Sequence, residues 1–288
     1  MAVTLMSTEI WTDRRRRVGE LRARQGFARQ LLDFYGTLLS VQERAYHDAA
    51  AAKPPAESLA SYVTEVVVPS VVDVTVSAGP ERLRSLLIHR LEAEHPHRIV
   101  ERWIAGEEQP VVDRFLARAS LGPVLEAVDA ATRAACAGTR DARHCPHCGG
   151  LPQLSYFEPA PEDLATGPRN LLCARCGASW GYARMTCAGC GEDDSAKLPI
   201  FSEHGNASGE RGSVVRGLGP RSPSAQAGAF FPHMRIEACD TCRRYLLSVD
   251  VAADPRAVPV VDELAAIPLD LYAREHGFTK IITNLMGF

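Results

Sequence analysis

Eight cysteines stand in four equal Cys-x-x-Cys pairs: Cys145/Cys148, Cys173/Cys176, Cys187/Cys190 and Cys239/Cys242. A turn of this form sets two sulfurs on one side of a tight knuckle, so two knuckles supply four thiolates to a tetrahedral ion. In three pairs the second cysteine precedes glycine, in "CPHCG", "CARCG" and "CAGCG". Glycine takes positive φ without cost and lets backbone N–H groups approach sulfur, which spreads the charge of a four-thiolate site. The fourth pair, "CDTCR", carries Arg243 there as a variant. Four knuckles make two sites and can combine in three ways. Sequential pairing joins the first two across 24 residues and the last two across 48. It builds each site within one continuous stretch and is the expected arrangement; interleaved and nested pairings stay open. An S4 tetrahedron suits zinc or iron, since zinc ribbons and rubredoxin-type iron sites use knuckles of the same form.

Other uses of paired cysteines fit less well. Disulfides are rare in reducing cytosol, where paired cysteines more often bind metal. No segment reads as a signal peptide. The run Arg14–Arg17 is followed by polar "VGELRARQGFARQ" instead of the apolar stretch an export signal needs, and is expected to be a solvated helix face. No apolar run is expected to span a bilayer. These readings point to a cytoplasmic protein. Four redox pairs within a hundred residues would be unusual, and none sits at a strand-to-helix junction. His144 and His147 flank the first pair but, beside a full cysteine set, read as surface or outer-shell groups. Cys136 has no partner at this spacing and reads as a small buried residue. His89, His95 and His97 read as surface or capping histidines.

The elements that must position these cysteines change character near residue 141. The expected fold is α+β: a helical N-terminal domain over 1–140, a first four-cysteine metal module over 141–186, a second over 187–251, and a short C-terminal helical tail over 252–288. Both modules are expected to be rubredoxin-like or zinc-ribbon-like. Leu21, Leu31, Leu32, Tyr35, Leu38, Leu39 and Val41 recur at helical intervals from about residue 13 to 51, and "KPP" at Lys53–Pro55 stops that helix. "SYVTEVVVPSVVDVTV" reads as a helix broken near Pro69, because proline argues against a central strand. "PERLRSLLIHRLEAEH" starts a helix with proline. "PVVDRFLARASLGPVLEAVDAATRAACAG" reads as helix with a break at Gly122–Pro123 and a stop at Gly138. Residues 203–230, rich in Gly, Ser, Ala and Pro, read as a flexible insertion in the second module.

Composition removes several function classes. The net charge of −3 gives no general attraction for nucleic acid or anionic membrane. From His144 to Asp250 there are ten Lys/Arg and eleven Asp/Glu, so the cysteine region lacks the basic bias a nucleic-acid-binding zinc ribbon needs. No P-loop, Rossmann glycine fingerprint or G-x-S-x-G elbow is present. A four-cysteine site leaves no open coordination position for hydrolysis. No catalytic or organic-cofactor-binding residue is assigned. A rubredoxin-like electron carrier cycling iron in S4 sites is the first alternative, though the large helical region would then lack a purpose; a nucleic-acid-binding zinc ribbon is the second and less favoured one.

The runs "CPHCGGLPQLSY", "LLCARCGASWGYARMTCAGCGE" and "RIEACDTCRRYLLSVD", with the tail "VDELAAIPLDLYAREHGF", resemble the bacterial formate dehydrogenase accessory proteins. "RFLARASLGPVLEA" is a weaker match, and the stretch around 203–230 is longer than the family pattern. The resemblance implies a cytoplasmic maturation factor or dedicated chaperone, not an enzyme. Its expected partner is the catalytic subunit of a formate dehydrogenase before export, with no nucleic acid and no membrane insertion. It also implies iron in the two sites, with zinc as the alternative.

Overall fold

A computed structural model describes residues 2–159, 167–204, 213–217 and 229–288. The chain forms two compact units: residues 1–150 with 174–178 and 285–287, and residues 151–173 with 179–284 and 288.

The first unit is helical. It contains α1 (Ala2–Arg24), α2 (Arg29–Ala52), α3 (Leu59–Tyr62), α4 (Val68–Ala78), α5 (Glu81–Ala93), α6 (Pro96–Ile104), α7 (Val111–Ala127) and α8 (Ala130–Ala134). The expected helix over 13–51 is two helices separated by a 3₁₀ turn at Gly26–Ala28. α2 stops as expected at Lys53, which caps it with a left-handed φ of 49°. Leu32, Phe34, Tyr35, Leu38 and Leu39 form its buried face.

Arg14–Arg17 is not a uniformly solvated face. Arg17 is buried and pairs with Glu20, while Arg14 donates to both carboxylate oxygens of Glu126 on α7, at 3.2 and 3.1 Å. Arg15 pairs with Glu43 on α2, and only Arg15 and Arg16 are exposed. The run therefore cross-links three helices.

Pro69 sits in the first turn of α4, behind a π-helical turn at Val63–Val67. The wider turn accommodates a residue that has no N–H to donate. Contrary to the sequence expectation, Ala56–Ala78 is long and apolar enough by composition to span a membrane, with a mean hydropathy of 1.5. Its Val63, Val67, Val68 and Val71 are buried within the unit, as in a core helix.

The expected break at Gly122–Pro123 does not occur: α7 runs unbroken through Pro123. Proline at 123 removes the helical hydrogen bond to the carbonyl of residue 119. Gln42, 77 residues away in sequence, supplies the missing donor, its Nε2 lying 3.2 Å from Ala119 O. The helix ends instead at Ala127, and Asp129 caps the short α8 through Thr132 N–H at 2.8 Å. His95 caps α6, accepting from His97 N–H at 3.2 Å.

The second unit is built on one eight-stranded sheet. Its strands are β1 (Pro152–Phe157), β2 (Arg169–Cys173), β3 (Ser179–Gly181), β4 (Ile200–His204), β5 (Ser213–Gly217), β6 (Met234–Ala238), β7 (Arg244–Asp250) and β8 (Thr279–Lys280). The order is β3-β2-β1-β7-β6-β4-β5, with β8 beside β7. Both cysteine-bearing segments thus share a sheet, joined by the parallel pairing of β1 with β7. Within 203–230, Glu203, His204 and Ser213–Gly217 are strand residues; 205–212 and 218–228 lie outside the described residues.

The C-terminal segment contributes α9 (Pro259–Ala265), α10 (Ile267–Glu275) and β8. Lys280 is buried and its Nζ lies 2.7 Å from Glu263 and 3.0 Å from Asp270. Tyr245 donates to Asp270 at 2.8 Å, and Gln153 donates to Glu263. These bonds fasten the tail to β1 and β7; one ammonium serves two buried carboxylates, and burial, with Asp270 nearby, pushes the Glu263 carboxyl up.

Candidate metal centres

Cys173/Cys176 follows directly from β2, Cys239/Cys242 joins β6 to β7, Cys145/Cys148 precedes β1 and Cys187/Cys190 lies between β3 and β4; three of the four knuckles repeat one backbone pattern. Gly149, Gly191 and Arg243 N–H groups each donate to the first cysteine's carbonyl, all at 2.9 Å. Cys145, Cys187 and Cys239 N–H groups donate back to Gly150, Glu192 and Arg244 carbonyls at 2.8–2.9 Å. The turn demands positive φ after the second cysteine. Gly149, Gly177 and Gly191 supply it at 68°, 67° and 85°. Arg243 adopts the same region at 55° despite its side chain. Its guanidinium stacks over Phe278 at 3.9 Å and donates to His276 O at 2.7 Å, contacts that offset the roughly 1–2 kcal/mol cost of a left-handed non-glycine residue.

The structure groups the pairs sequentially: Cys145, Cys148, Cys173 and Cys176 in one cluster, Cys187, Cys190, Cys239 and Cys242 in the other. Within each, all four sulfurs lie within 4.8 Å of one another. The Cys145–Cys176, Cys187–Cys242 and Cys190–Cys239 Sγ distances are 3.6, 3.7 and 3.7 Å. A tetrahedral ion with metal–sulfur bonds of about 2.3 Å needs sulfurs about 3.8 Å apart. Either group could therefore hold a metal ion without rearrangement. The distances do not separate iron from zinc.

Backbone donors favour the thiolate form in the second group. Gly189 N–H lies 3.3 Å from Cys187 Sγ, and Cys190 N–H also approaches that sulfur. Burial nevertheless pushes the Cys187 thiol up. Cys190 is drawn down against burial by Glu192 N–H and by its cysteine neighbours. A bound cation would complete what these donors begin.

Polar residues outside the motif brace the knuckles. Arg175, inside "CARC", donates to Cys148 O at 2.9 Å and Ala137 O at 2.8 Å, with Trp103 under its guanidinium at 5.7 Å. Glu192 accepts from Thr241 Oγ1 at 2.6 Å, tying the third knuckle to the fourth. Sequence reasoning missed both braces; Arg175 occupies a variable knuckle position, and the Thr241 partner is 49 residues distant. His144 is engaged by Asp141 at 2.6 Å. Cys136 is buried, and burial pushes its thiol up to about 11, so it is a neutral, poorly nucleophilic group.

Fold and site together define an α+β protein with two four-cysteine groups fitted to metal, the second of them carried wholly by the sheet unit. A family model for the FdhE C-terminal domain matches residues 223–286. A Protein FdhE homolog from Aquifex aeolicus (strain VF5) is 32% identical over 147 residues, covering 50% of this chain and 42% of the relative. One from Pseudomonas aeruginosa is 27% identical over 143 residues, covering 49% and 38%. The chain thus spans under half the length of these curated relatives. The crystal structure of the FdhE protein from Pseudomonas aeruginosa shares the fold, with a TM-score of 0.62, 19% identity and coverage of 97% of this chain and 96% of that one. Family model, relatives and solved structure are those of FdhE proteins in each case: the chain resembles them in sequence over part of its length and shares the fold of the solved one.

Proposed function

We propose that this protein is a formate dehydrogenase accessory protein, a cytoplasmic maturation factor that binds the catalytic subunit before export. The observation carrying this reading is that the stretch matching the FdhE C-terminal domain, residues 223–286, holds the Cys239/Cys242 knuckle of the second metal group and the C-terminal segment. In this reading the four-cysteine groups are its two metal centres, with Cys145, Cys148, Cys173 and Cys176 as ligands of one ion and Cys187, Cys190, Cys239 and Cys242 as ligands of the other. Iron is the proposed metal, with zinc as the alternative. A bound ion supplies folding energy and rigid loops, and four thiolates leave it no free position for substrate. The chain's own part is to hold the knuckles at fixed spacing and so present short loops in fixed positions. The protein acts by binding, without catalysing a reaction.

The test is co-purification with a tagged formate dehydrogenase catalytic subunit, alongside a deletion strain assayed for formate oxidation. A complex, and loss of activity at unchanged transcript level, are expected. Full activity in a strain lacking every copy of the protein, with no detectable complex, would sink this reading.

A further inference from the structure

One side of the sheet unit carries an open cleft of about 830 Å³, floored by β1, β6 and β7 and bordered by Cys187 of the second cysteine group. Its apolar wall comes from Met185, Leu198, Pro199, Ile200, Leu246 and Ile281. Four arginines also line it: Arg169, Arg184, Arg235 and Arg244. The three carboxylates in the lining are already engaged. Glu237 accepts from Arg169, Arg235 and Ser155, and although burial alone would raise its carboxyl, the two guanidiniums hold it down to about 2. Asp250 accepts from the N–H groups of Ala252 and Ala253, and Glu158 from Asn170.

The cations are less fully matched. Among the described residues, neither Arg184 nor Arg244 pairs with a carboxylate, and both are exposed. Arg184 lies over one aromatic ring, Phe157, at 4.9 Å and donates from Nη2 to Gly167 O, and Arg235 lies over the same ring at 4.4 Å. Stacking fixes a guanidinium's plane while leaving edge N–H groups to donate. Arg169, almost fully buried, keeps an Nε–H with no partner among the described residues. The cleft thus combines an apolar wall with two exposed guanidiniums that no carboxylate pairs with, and its four arginines outnumber its three carboxylates. That is the complement of a chain in which carboxylates alternate with apolar side chains.

We propose that this cleft is a docking site for an acidic, partly apolar extended segment of a partner polypeptide. The carboxylates meet Arg184 and Arg244, and the apolar side chains lie along Met185, Ile200 and Ile281. Small ligands are usually enclosed on most sides, whereas a cleft open along one side suits a segment of chain. The site deepens the accessory reading by giving the client a place and a chemistry of contact. Its test uses no client, so its failure leaves the co-purification result standing.

The experiment is a fluorescence-anisotropy titration of the metal-bearing full chain with three labelled octapeptides, alternating Leu–Glu, Leu–Gln and Leu–Lys. The Leu–Glu peptide should bind, at least tenfold more tightly than either other, and should weaken as salt rises. Arg184→Glu with Arg244→Glu should reduce its affinity at least tenfold, and Arg184→Gln with Arg244→Gln by less. Both side chains are exposed, so metal content and circular dichroism should match the parent. Absence of Leu–Glu binding, equal binding of the Leu–Lys peptide, or indifference to both double variants would overturn the proposal. So would displacement of the peptide by citrate or inorganic phosphate at equal concentration, which would make this a small-anion site. If the charge-reversal pair lost metal, the glutamine pair alone would decide.

Discussion

Cys145, Cys148, Cys173 and Cys176 are all buried, whereas in the second group only Cys239 is fully so and Cys187, Cys190 and Cys242 remain partly exposed. The Cys-x-x-Cys spacing and the positive φ after the second cysteine are the same in both groups. The burial comes from what surrounds each knuckle. Arg175 fills in beside the first with a guanidinium that closes two carbonyls. The second is braced from outside by half-buried Glu192 and exposed Thr241. A buried four-thiolate site is shielded from water, oxidants and competing ligands; a half-exposed one exchanges and oxidises more readily. From this contrast the first group is expected to carry more of the fold's stability and the second to be the more readily reached from solvent.

Ligand removal gives the largest expected effect and the sharpest test of that contrast. Structural zinc in small modules contributes ~10–16 kcal/mol of apparent binding energy, much of it as folding energy, against a typical domain stability of ~5–15 kcal/mol. Cys145→Ser with Cys148→Ser should therefore lose one metal ion and with it the cooperative thermal transition. Cys187→Ser with Cys190→Ser should also lose one ion but retain a cooperative transition. Elemental analysis with circular dichroism checks both. Identical behaviour of the two pairs would erase the distinction.

Chelation should separate the groups in time. On adding excess chelator to native protein, one equivalent of metal should leave well before the other. Hydrogen exchange should then rise first around 187–198 and 239–244 and only later around 145–150. Simultaneous release would mean that burial does not control access.

An intermediate effect is expected from the braces. Removing an outer partner of a metal ligand commonly costs 10–100-fold in metal affinity. Thr241→Val should weaken retention at the second group alone and Arg175→Met at the first alone, read as metal per chain in competition with a chromogenic chelator. Crossed or equal losses would show that the groups are not independently supported.

Much of this was legible from local pattern, and what was not depended on distant partners. The positive φ at Gly149, Gly177 and Gly191 follows from glycine's freedom in a knuckle, and the same reasoning carried over to Arg243. Sequential grouping followed from short loops. The parallel pairing of β1 with β7 was not readable, because it joins residues some ninety positions apart through backbone bonds that leave no periodic trace. Arg14 and Arg17 looked like solvent-facing charge because their carboxylate partners, Glu126 on another helix and Glu20 on the same one, are ordinary acidic residues in the sequence. The cleft escaped notice for the same reason: its arginines come from four separate segments.

The smallest effect concerns the helical unit and acts as a control on the comparison. The sequence pointed to a break at Pro123, and local rules gave no reason to doubt it, since proline inside a helix costs about 3 kcal/mol or more. Gln42 lowers that cost by donating to the carbonyl the proline leaves without a partner. In Gln42→Leu the Ala119 carbonyl would stay buried and unsatisfied, at a cost of about 1–3 kcal/mol. Chemical denaturation followed at the helical dichroism band should show that loss with an unchanged slope against denaturant. Metal content at both groups should be unaffected. A variant as stable as the parent would mean that α7 carries Pro123 without help, and one that released metal would tie the helical unit's stability to the thiolate groups and remove the contrast between them.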